Sequence, residues 1–509
     1  MSEFPDRFDV LVIGGGITGC GVARDAAMRG LNVALVERDD FASGTSGRSS
    51  RLIHGGIRYL EHAQLHLVYE SIRERQTLLR IAPHLVKPLA FTWPIYRGAR
   101  IGKLKLRAGL FLYQLMAGGR SLKHSILNAA QTLQREPRLK SEQLTGGAVY
   151  YDACTDDARL VIANALAAQQ LGATILSHTR VTEIIRHGDK AVGVVARSQH
   201  SGATREIRAR IIANATGVWQ NAFDGDDRAR RVRGSKGAHV GVARERIGNH
   251  DALTLISPLD GRVMFCLPGG SQTIIGTTDT WTEESPETVH ASTADVDYLL
   301  RSVNAYFPWA RLTPDDVMSA WAGIRPLASA GSSNPSAVSR EHSITTDRSG
   351  VINVTGGKLT TYRSMAAEIV DRVQEALGQP KKAAATGSVP IPGADRLDKI
   401  TRIQRDDVSL STPLVGGLPY TGAHLVYAVQ SEMAQTLSDL LIRRTHLAFE
   451  TRDHGKSVAP RAAEIVSPLL GWDDQTKNAR LREYNDDIER MFAVRSAGSL
   501  DRDGRRGLE

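Results

Sequence analysis

The feature that most constrains this chain is the segment 9–37, whose pattern predicts a strand, a glycine turn, a helix and a second strand. Its turn, Gly14-Gly15-Gly16-Ile17-Thr18-Gly19, is a G-x-G-x-x-G that directly follows a buried apolar run. The first glycine permits the tight turn, the second admits a pyrophosphate, and the third lets helix and strand pack closely. Backbone N–H groups at the helix start attract phosphate, and Glu37 follows at the distance typical of a ribose ligand. The unit predicts a Rossmann-like dinucleotide-binding domain; the alternative is a glycine-rich turn without a ligand.

Length and cysteine use bound the class of protein. A chain of 509 residues exceeds a single hydrophobic core, so we expect two or three domains. The three cysteines, Cys20, Cys154 and Cys266, are far apart and form no C-x-x-C pair. That spacing argues against a disulfide framework and against a zinc site, and no metal is expected. The sequence has no signal-peptide pattern and no run of transmembrane length, so a cytoplasmic protein is expected.

The net charge of +9 has four interpretations: a nucleic-acid partner, an anionic membrane, an anionic substrate, or a merely basic surface. The sequence lacks zinc-finger spacing and RNA-binding aromatic motifs, so no nucleic-acid partner is expected. The charge is concentrated in 97–124, which holds seven Lys or Arg residues and no acid. The apolar side chains that share one helical face there are Leu104, Ala108, Phe111, Leu112 and Leu115. Such a helix is typical of a membrane surface, although the same face would also suit the protein's own core.

Local periodicity and turn signals predict most of the remaining elements. Helices are expected at 66–79, 155–171 and 365–377, and strands at 179–186, 191–197, 204–213, 263–267, 273–275 and 351–355. Beyond 382 a linker with Pro and Gly reaches about 422, and helices are expected at 424–433, 436–443, 460–470 and 478–491.

Several longer motifs follow the glycine turn in order. They are the serine-rich loop 43–50, H-G-G-I-R-Y-L at 54–60, A-T-G at 215–217, G-T-T-D at 276–279, G-I-R-P at 323–326, G-G-K-L-T-T-Y-R at 356–363 and R-R-T at 443–445. Together with the glycine turn and Glu37, these motifs resemble the FAD-dependent, aerobic-type glycerol-3-phosphate dehydrogenase family. The resemblance covers nearly the whole chain. One departure is Arg51, where family members often carry lysine, and the positive charge is kept.

The resemblance implies an α/β (α+β) fold with a discontinuous FAD-binding Rossmann-like domain, an antiparallel-sheet substrate domain and an α-helical C-terminal domain. The expected division is 1–90, 145–236 and 341–380 for the FAD-binding domain, 91–144 for a basic membrane-facing segment, 237–340 for the substrate domain, 385–495 for the helical domain and 496–509 for a disordered tail.

The resemblance also implies a reaction, the oxidation of sn-glycerol 3-phosphate to dihydroxyacetone phosphate, with hydride passing from C2 to flavin N5. The electrons would then reach a membrane quinone, so the expected location is peripheral, on the inner face of the cytoplasmic membrane with its anionic surface. A homodimer is compatible with the sequence. The alternatives are a glycerol-3-phosphate oxidase that uses oxygen, another FAD-dependent oxidase of the amino-acid oxidase type, and a non-catalytic flavin-binding protein.

The resemblance assigns roles to individual residues. The residues expected to bind FAD are Val12, Ile13, Gly14, Gly15, Gly16, Ile17, Thr18, Gly19, Glu37, Arg38, Thr45, Ser46, Ser49, Ser50, Arg51, Leu52, His54, Val181, Ala215, Thr216, Gly217, Gly357, Lys358, Leu359 and Thr360. The residues expected to bind substrate are Arg58, Tyr59, His239, Asp260, Arg325, Arg340 and Lys358. Those expected to take part in catalysis are His54, Arg325 and Lys358.

The residue types suit the chemistry of a secondary alcohol that carries a phosphate. Arginine offers a planar fork that donates two parallel hydrogen bonds to phosphate. Histidine titrates near neutral pH, so His54 is a candidate base, and a ring that only packs against the flavin is its alternative. His239 is a second candidate base, and the sequence alone does not choose between the two.

Overall fold

Two β-sheets form the frame of the molecule, and the strands of each come from separated parts of the chain. The computed structural model describes residues 7–62, 64–118, 122–222, 233–327 and 341–496. Arg340, residues 497–509 of the expected tail and the side chain of Arg58 lie outside the described residues.

The elements are numbered in chain order. The strands are β1 (Phe8–Ile13), β2 (Val33–Val36), β3 (Leu52–Ile53), β4 (Val86–Tyr96), β5 (Ser125–Asn128), β6 (Leu144–Thr155), β7 (Thr174–Leu176), β8 (Thr179–His187), β9 (Lys190–Ser198), β10 (Thr204–Asn214), β11 (Arg233–Ala243), β12 (Ala252–Ile256), β13 (Val263–Gly269), β14 (Gln272–Gly276), β15 (Thr280–Thr282), β16 (Val317–Leu327), β17 (Ser343–Thr346) and β18 (Ile352–Thr355). The α-helices are α1 (Ile17–Met28), α2 (Leu65–Ile81), α3 (Lys103–Met116), α4 (Ala129–Arg135), α5 (Asp157–Gln170), α6 (Arg244–Ile247), α7 (Thr293–Asn304), α8 (Tyr362–Ala376), α9 (Arg396–Asp406), α10 (Gly422–Ser431), α11 (Leu447–Glu450), α12 (Ala459–Leu470) and α13 (Asp474–Phe492).

The first sheet is the predicted Rossmann-like unit. Its strand order is β17-β18-β10-β1-β2-β7, and the pairs from β18 to β7 are parallel. Strands β1 and β2 are buried along nearly their whole length, because helices α1, α5 and α8 pack on one face and hairpin β8–β9 on the other. Asp156 begins α5 as its N-cap and accepts the backbone N–H of Arg159 at 3.0 Å. The α/β class with a Rossmann-like domain is confirmed.

The second sheet has the order β15-β11-β14-β13-β12-β4-β6-β3, with β16 paired to β11 and β5 paired to β6. It is antiparallel except where β12 runs parallel to β4. The expected domain division placed β4 and β6 at the edges of the FAD-binding and membrane-facing parts, whereas the structure pairs both strands into this second sheet. The two strands pair from Val86↔Thr155 to Tyr96↔Leu144, and this long-range ladder makes them part of the second sheet.

Helix α3 lies in the basic segment and has two apolar sides. The side chains that it buries are Leu106, Leu110 and Tyr113. The opposite side carries the face identified in the sequence, where Leu104 is 82%, Phe111 65% and Leu115 65% exposed. Burial of that face in the protein's own core is therefore excluded. Within the described parts of the chain, none of the helices is both long and apolar enough to cross a bilayer.

The C-terminal helices form the expected α-helical layer, with two departures from the predicted boundaries. Helix α9 lies inside the segment expected to be a linker, and Ile400 is its one fully buried side chain. The second departure is Asp439–Arg444, which forms a π-helical turn in place of the end of an α-helix.

Buried ion pairs join this layer to the first sheet. Arg444 donates to both carboxylate oxygens of Asp40, at 2.6 and 2.9 Å, and neither side chain is exposed. Arg443 bridges Asp40 at 2.5 Å and Asp439 at 2.8 Å. Because Asp40 follows Glu37 by three residues, the helical layer holds the chain directly after β2, beside the predicted cofactor site.

Replacement of Arg444 by Met leaves the Asp40 carboxylate buried with one fewer partner. Loss of one member of a buried pair costs about 3–5 kcal/mol, so we expect the free energy of unfolding to fall by about 3 kcal/mol, since Arg443 remains. Urea unfolding of the full chain measures this. The control Arg301→Met removes an exposed pair with Asp297 and should change stability by less than about 1 kcal/mol. Equal losses in the two variants would contradict the assigned role of Arg444.

Candidate active site

A cavity of about 880 Å³ runs between the two sheets. It opens at the carboxyl end of β1, whose neighbours β2 and β10 lie on opposite sides of it. This is the switch point at which open α/β sheets bind ligands. Its wall combines the glycine turn, the serine-rich loop, the His54 segment, strands of the second sheet and the segment 356–360.

The glycine turn forms a cradle that side chains would fill. Gly14 has φ +105°, and a Cβ there would lie 2.7 Å from the carbonyl oxygen of Ala215. A Cβ on Gly19 would lie 1.9 Å from the carbonyl oxygen of Gly14, so helix α1 can approach β1 only without it. The backbone N–H of Ile17 donates to the hydroxyl of Ser46 at 3.0 Å at the helix start. The cradle, with backbone donors at its base, fits the pyrophosphate of a dinucleotide.

Glu37 closes the turn from the end of β2. Its carboxylate accepts the backbone N–H of Gly15 at 2.5 Å and that of Asp39 at 2.8 Å. Burial raises the pKa of Glu37 to about 7, despite these two hydrogen bonds. The carboxylate also lines the cavity, as a ribose ligand must.

A cluster that the sequence did not indicate lies next to Glu37. The guanidinium of Arg38 stands 5.0 Å from the ring centroid of Trp219. Glu287 accepts from Arg38 at 2.6 Å and from Trp219 Nε1 at 2.8 Å. Burial raises the pKa of Glu287 and these hydrogen bonds lower it, with a net lowering. All three residues line the cavity, so the Arg38–Trp219–Glu287 cluster connects the two sheets across the cofactor end.

The serine-rich loop is fixed by hydroxyl contacts to the second sheet and to helix α5. Thr45 Oγ1 donates to the carbonyl of Ile324 at 2.6 Å, and Ser49 Oγ donates to Asp157 at 2.6 Å. Arg48 also lines the cavity, and burial lowers its pKa to about 10. The sequence analysis assigned no role to Arg48, although it lies inside the serine-rich loop 43–50.

Arg51 does not line the cavity, although the sequence placed it at the cofactor. It has φ +55°, and its guanidinium donates to His446 Nδ1 at 3.2 Å and lies 4.8 Å from the ring centroid of Phe449. Its contacts therefore connect the loop with the C-terminal helices. Among the other residues predicted for FAD, Val12, Gly15 and Gly19 lie behind the cavity wall, and the rest line it.

Two cations of the predicted substrate site meet at the same cavity. Arg325 donates to Thr277 Oγ1 at 3.0 Å and pairs with Asp279 at 3.2 Å, and its side chain is 20% exposed. Lys358 Nζ lies 4.2 Å from the ring centroid of Tyr59 and 3.4 Å from Ser71 Oγ. Arg325, Lys358 and Tyr59 all line the cavity although they come from distant parts of the chain.

The two candidate bases line this cavity but differ in environment. His54 donates its backbone N–H to Thr360 Oγ1 at 3.1 Å, and its ring meets Phe265 edge-on at 6.4 Å. His239 is 2% exposed, stacks on Trp321 at 5.3 Å and has Nε2 at 2.8 Å from Ser50 Oγ. Burial, with the charges of Arg325 and Arg51, lowers the pKa of His239 to about 3. His239 is therefore a neutral imidazole near pH 7.

Asp260 does not reach the cavity, contrary to the expectation that it binds substrate. It lies in an exposed turn, where it accepts the hydroxyl of Tyr298 at 2.8 Å and pairs with Arg262 at 3.1 Å. Asp260 precedes Gly261, and Asp-Gly is a common turn pair, so the sequence also suits the plain turn that the structure shows. Arg262 lines the cavity and donates to the carbonyl of Asp279 at 2.5 Å, so it is the member of this pair that reaches the site.

Comparison with known proteins agrees with this geometry. Residues 9–372 match the model of a family described as FAD dependent oxidoreductase, and residues 386–477 match the C-terminal domain of alpha-glycerophosphate oxidase. The chain belongs to the FAD-dependent oxidoreductase family. It is 38% identical over 507 residues to glycerol-3-phosphate dehydrogenase 2 of Mycobacterium tuberculosis, covering 92% of this chain and 86% of that protein.

Two further relatives identify the group within the family. The aerobic glycerol-3-phosphate dehydrogenase of Bacillus subtilis is 32% identical over 527 residues, with 94% of each chain covered. The solved glycerol-3-phosphate dehydrogenase of Bacillus halodurans, complexed with FAD, superposes with a TM-score of 0.77 at 30% identity, covering 96% of this chain and 95% of that one. The predicted resemblance to the FAD-dependent glycerol-3-phosphate dehydrogenases is thus confirmed, and so is FAD as the cofactor.

The Arg38–Trp219–Glu287 cluster predicts a test of cofactor retention. Glu287→Gln removes the charge that pairs with Arg38 and weakens the link between the sheets. We expect FAD to dissociate roughly tenfold faster, since hydrogen bonds to charged groups contribute about 1.5–3 kcal/mol. The measurement is the rise of free-flavin fluorescence after dilution of the loaded protein.

The matched control is Glu283→Gln, at an exposed position four residues earlier in the chain. It should release FAD at the rate of the parent. Equal release from the Glu287 variant and the parent would show that the cluster does not retain the cofactor.

Proposed function

We propose that the chain oxidises sn-glycerol 3-phosphate to dihydroxyacetone phosphate. The observation that carries this proposal is the meeting of Arg325 and Lys358 at one cavity with the two histidines. Arg325 presents a planar fork that suits phosphate, and Lys358 adds a second positive charge for a dianionic group. An amino-acid substrate would require a carboxylate site of single charge. The names of the relatives support the same substrate.

Arg325 is already oriented before a substrate arrives. Its contacts with Thr277 and Asp279 fix the guanidinium against the second sheet, so little side-chain entropy is lost on binding. Tyr59 lies against Lys358 and also lines the cavity.

We propose His54 as the residue that takes the proton of the substrate hydroxyl. A general base works best when its pKa is near the working pH, and the lowered pKa of His239 makes that imidazole a weak base. His239 instead offers a neutral ring held by Ser50 that can orient the substrate. FAD, when bound, would supply the hydride acceptor, so that C2 of the substrate loses its hydride to the flavin while the hydroxyl oxygen loses its proton to the base.

The phosphate assignment predicts the kinetics of two Arg325 variants. Arg325→Ala leaves the phosphate with Lys358 as its remaining cation, and loss of one member of a buried charged pair costs about 2–5 kcal/mol. At about 1.4 kcal/mol per decade, kcat/KM should fall by roughly one and a half to three and a half orders of magnitude. Arg325→Lys should recover only part of the loss, because an ammonium group cannot form the planar fork.

Steady-state assays with glycerol 3-phosphate and an artificial acceptor measure these values. Arg246→Ala, which removes a pair with Asp316 at the surface, is the control and should keep the parent's efficiency. Parent-like efficiency in the Ala variant would remove Arg325 from the substrate site.

We further propose that the electrons pass to a membrane quinone and that the protein docks peripherally on the inner face of the cytoplasmic membrane. Support comes from exposed apolar side chains on α2, α3 and the segment after α3. They are Leu65, Tyr69, Leu104, Phe111, Leu115 and Leu122. Lys103 and Arg107 also lie on α3, and each such charge near an anionic surface contributes about 1 kcal/mol. Use of oxygen is the alternative acceptor, and hydrogen peroxide yield under air distinguishes it.

The docking surface predicts the behaviour of Leu104→Ser combined with Phe111→Ser. Burial of an apolar side chain contributes about 1.5–3 kcal/mol, so the pair should weaken binding by tenfold or more at about 1.4 kcal/mol per decade. Sedimentation with vesicles that contain phosphatidylglycerol measures binding, and salt should weaken it in the parent.

The control is Leu397→Ser with Val408→Ser, which removes two exposed apolar side chains near α9. This control should sediment like the parent. Flavin reduction by substrate should persist in both double variants. Unchanged sedimentation of the Leu104 and Phe111 variant would exclude α3 as the docking surface.

A further inference from the structure

Three buried polar side chains contact one another beside the wall of the cavity that bears His54, and one of them, Asp152, itself lines the cavity. They are Arg75 on α2, Tyr113 on α3 and Asp152 on β6, each exposed by 4% or less. The backbone N–H of Gly55 donates to Tyr113 Oη at 2.9 Å and approaches Asp152 Oδ1 at 3.2 Å. Tyr113 Oη itself donates to Asp152 at 2.7 Å. The tyrosine hydroxyl therefore bonds the residue next to His54.

Arg75 completes this cluster. It forms an ion pair with Asp152 and donates to Tyr113 Oη at 3.2 Å and to the carbonyl of Tyr151 at 3.1 Å. The hydroxyl thus accepts from Arg75 and Gly55 and donates to Asp152, so all of its bonding capacity is used. Such a fully bonded buried network holds one geometry.

The position of Gly55 is explained by this contact. A Cβ there would lie 2.2 Å from Tyr113 Oη, so any side chain would displace the helix or the segment. The close approach of a tyrosine from helix α3 therefore requires a glycine at position 55.

Helix α3 also contacts the far end of the same segment. Glu61 accepts from Lys105 Nζ at 2.9 Å and pairs with Arg100 at 3.0 Å. Tyr59, between these two contacts, packs in a small apolar cluster with Tyr113. One helix therefore holds the segment 54–61 near both ends, and its other side carries the exposed apolar face.

We propose that Tyr113 is a positioning residue for the reaction. Its hydroxyl sets the backbone at Gly55, and through it the ring of His54, which the proposed function uses as the base. The same helix would then serve two purposes, membrane docking on one side and support of the proton acceptor on the other. The proposal rests on the proposed function and adds a residue to it that touches neither substrate nor FAD.

The test is Tyr113→Phe in the FAD-loaded full chain. The ring still fills its space, and Arg75 and Asp152 remain paired, so the fold should persist. We expect the rate constant of anaerobic flavin reduction at saturating glycerol 3-phosphate to fall roughly tenfold, because a misplacement of about 1 Å can cost about 10²-fold. The substrate concentration at half-saturation should change by less than about twofold, because the phosphate contacts are untouched.

The control is Tyr96→Phe, which removes a hydroxyl bonded to the carbonyl of Lys140 at 2.8 Å away from the cavity. It should reduce flavin at the parent rate, and both variants should have similar thermal midpoints. A parent-like rate in the Tyr113 variant would overturn the proposal. A slower flavin reduction that is accompanied by FAD release or by a much lower thermal midpoint would also overturn it, because either change indicates a structural role alone.

A double variant tests whether Tyr113 acts through His54. If it does, Tyr113→Phe should slow a His54→Ala background by less than about twofold, because coupled residues are not additive. A full tenfold loss in that background would contradict the proposal. Failure of the parent to be reduced by glycerol 3-phosphate would instead contradict the proposed function, so the two failures are distinct.

Discussion

The close packing of the Gly14 carbonyl against helix α1 at Gly19 is the constraint on which the site depends. The space for a Cβ at Gly19 is occupied by that oxygen, so β1 and α1 meet at a distance that no other residue allows. This approach places the start of α1 at the end of β1, beside Glu37 at the end of β2. The cavity begins there, and the second sheet lies across it with Arg325 and His239 facing the same space.

The residues that the sequence identified well belong to contiguous motifs. The glycine turn, His54 and Lys358 could be placed because each motif contains its own backbone requirement, and the structure brings all of them to one cavity. Partners separated by long stretches of chain had no such signal. Glu287 reaches Trp219 across 68 residues, and the pairing of β4 with β6 depends on a ladder that local periodicity does not encode. Arg51 was expected at the cofactor, whereas its side chain contacts the C-terminal helices. The position of a residue in the chain does not indicate the direction of its side chain.

Helix α3 shows both the strength and the limit of periodicity. The sequence identified the Leu104 face correctly as apolar, and the structure leaves that face exposed. The sequence analysis did not identify the buried side of the helix. Leu106 and Leu110 on that side are apolar too, so the helix has no single polar face, and periodicity alone does not show which apolar side is buried. Tyr113 lies on that missed side, where its hydroxyl meets the backbone next to His54. Helix α3 therefore carries an exposed apolar surface on one side and contacts the segment that bears His54 with the other side.

The site's charges and the relatives support oxidation of glycerol 3-phosphate in this cavity, with FAD as the electron acceptor. Anaerobic mixing of the FAD-loaded protein with candidate substrates, followed by flavin absorbance, tests it most directly. We expect glycerol 3-phosphate to bleach the flavin absorbance, and glycerol or amino acids at equal concentration to leave it unchanged. Bleaching by an amino acid, or flavin that dithionite reduces but glycerol 3-phosphate does not, would contradict it.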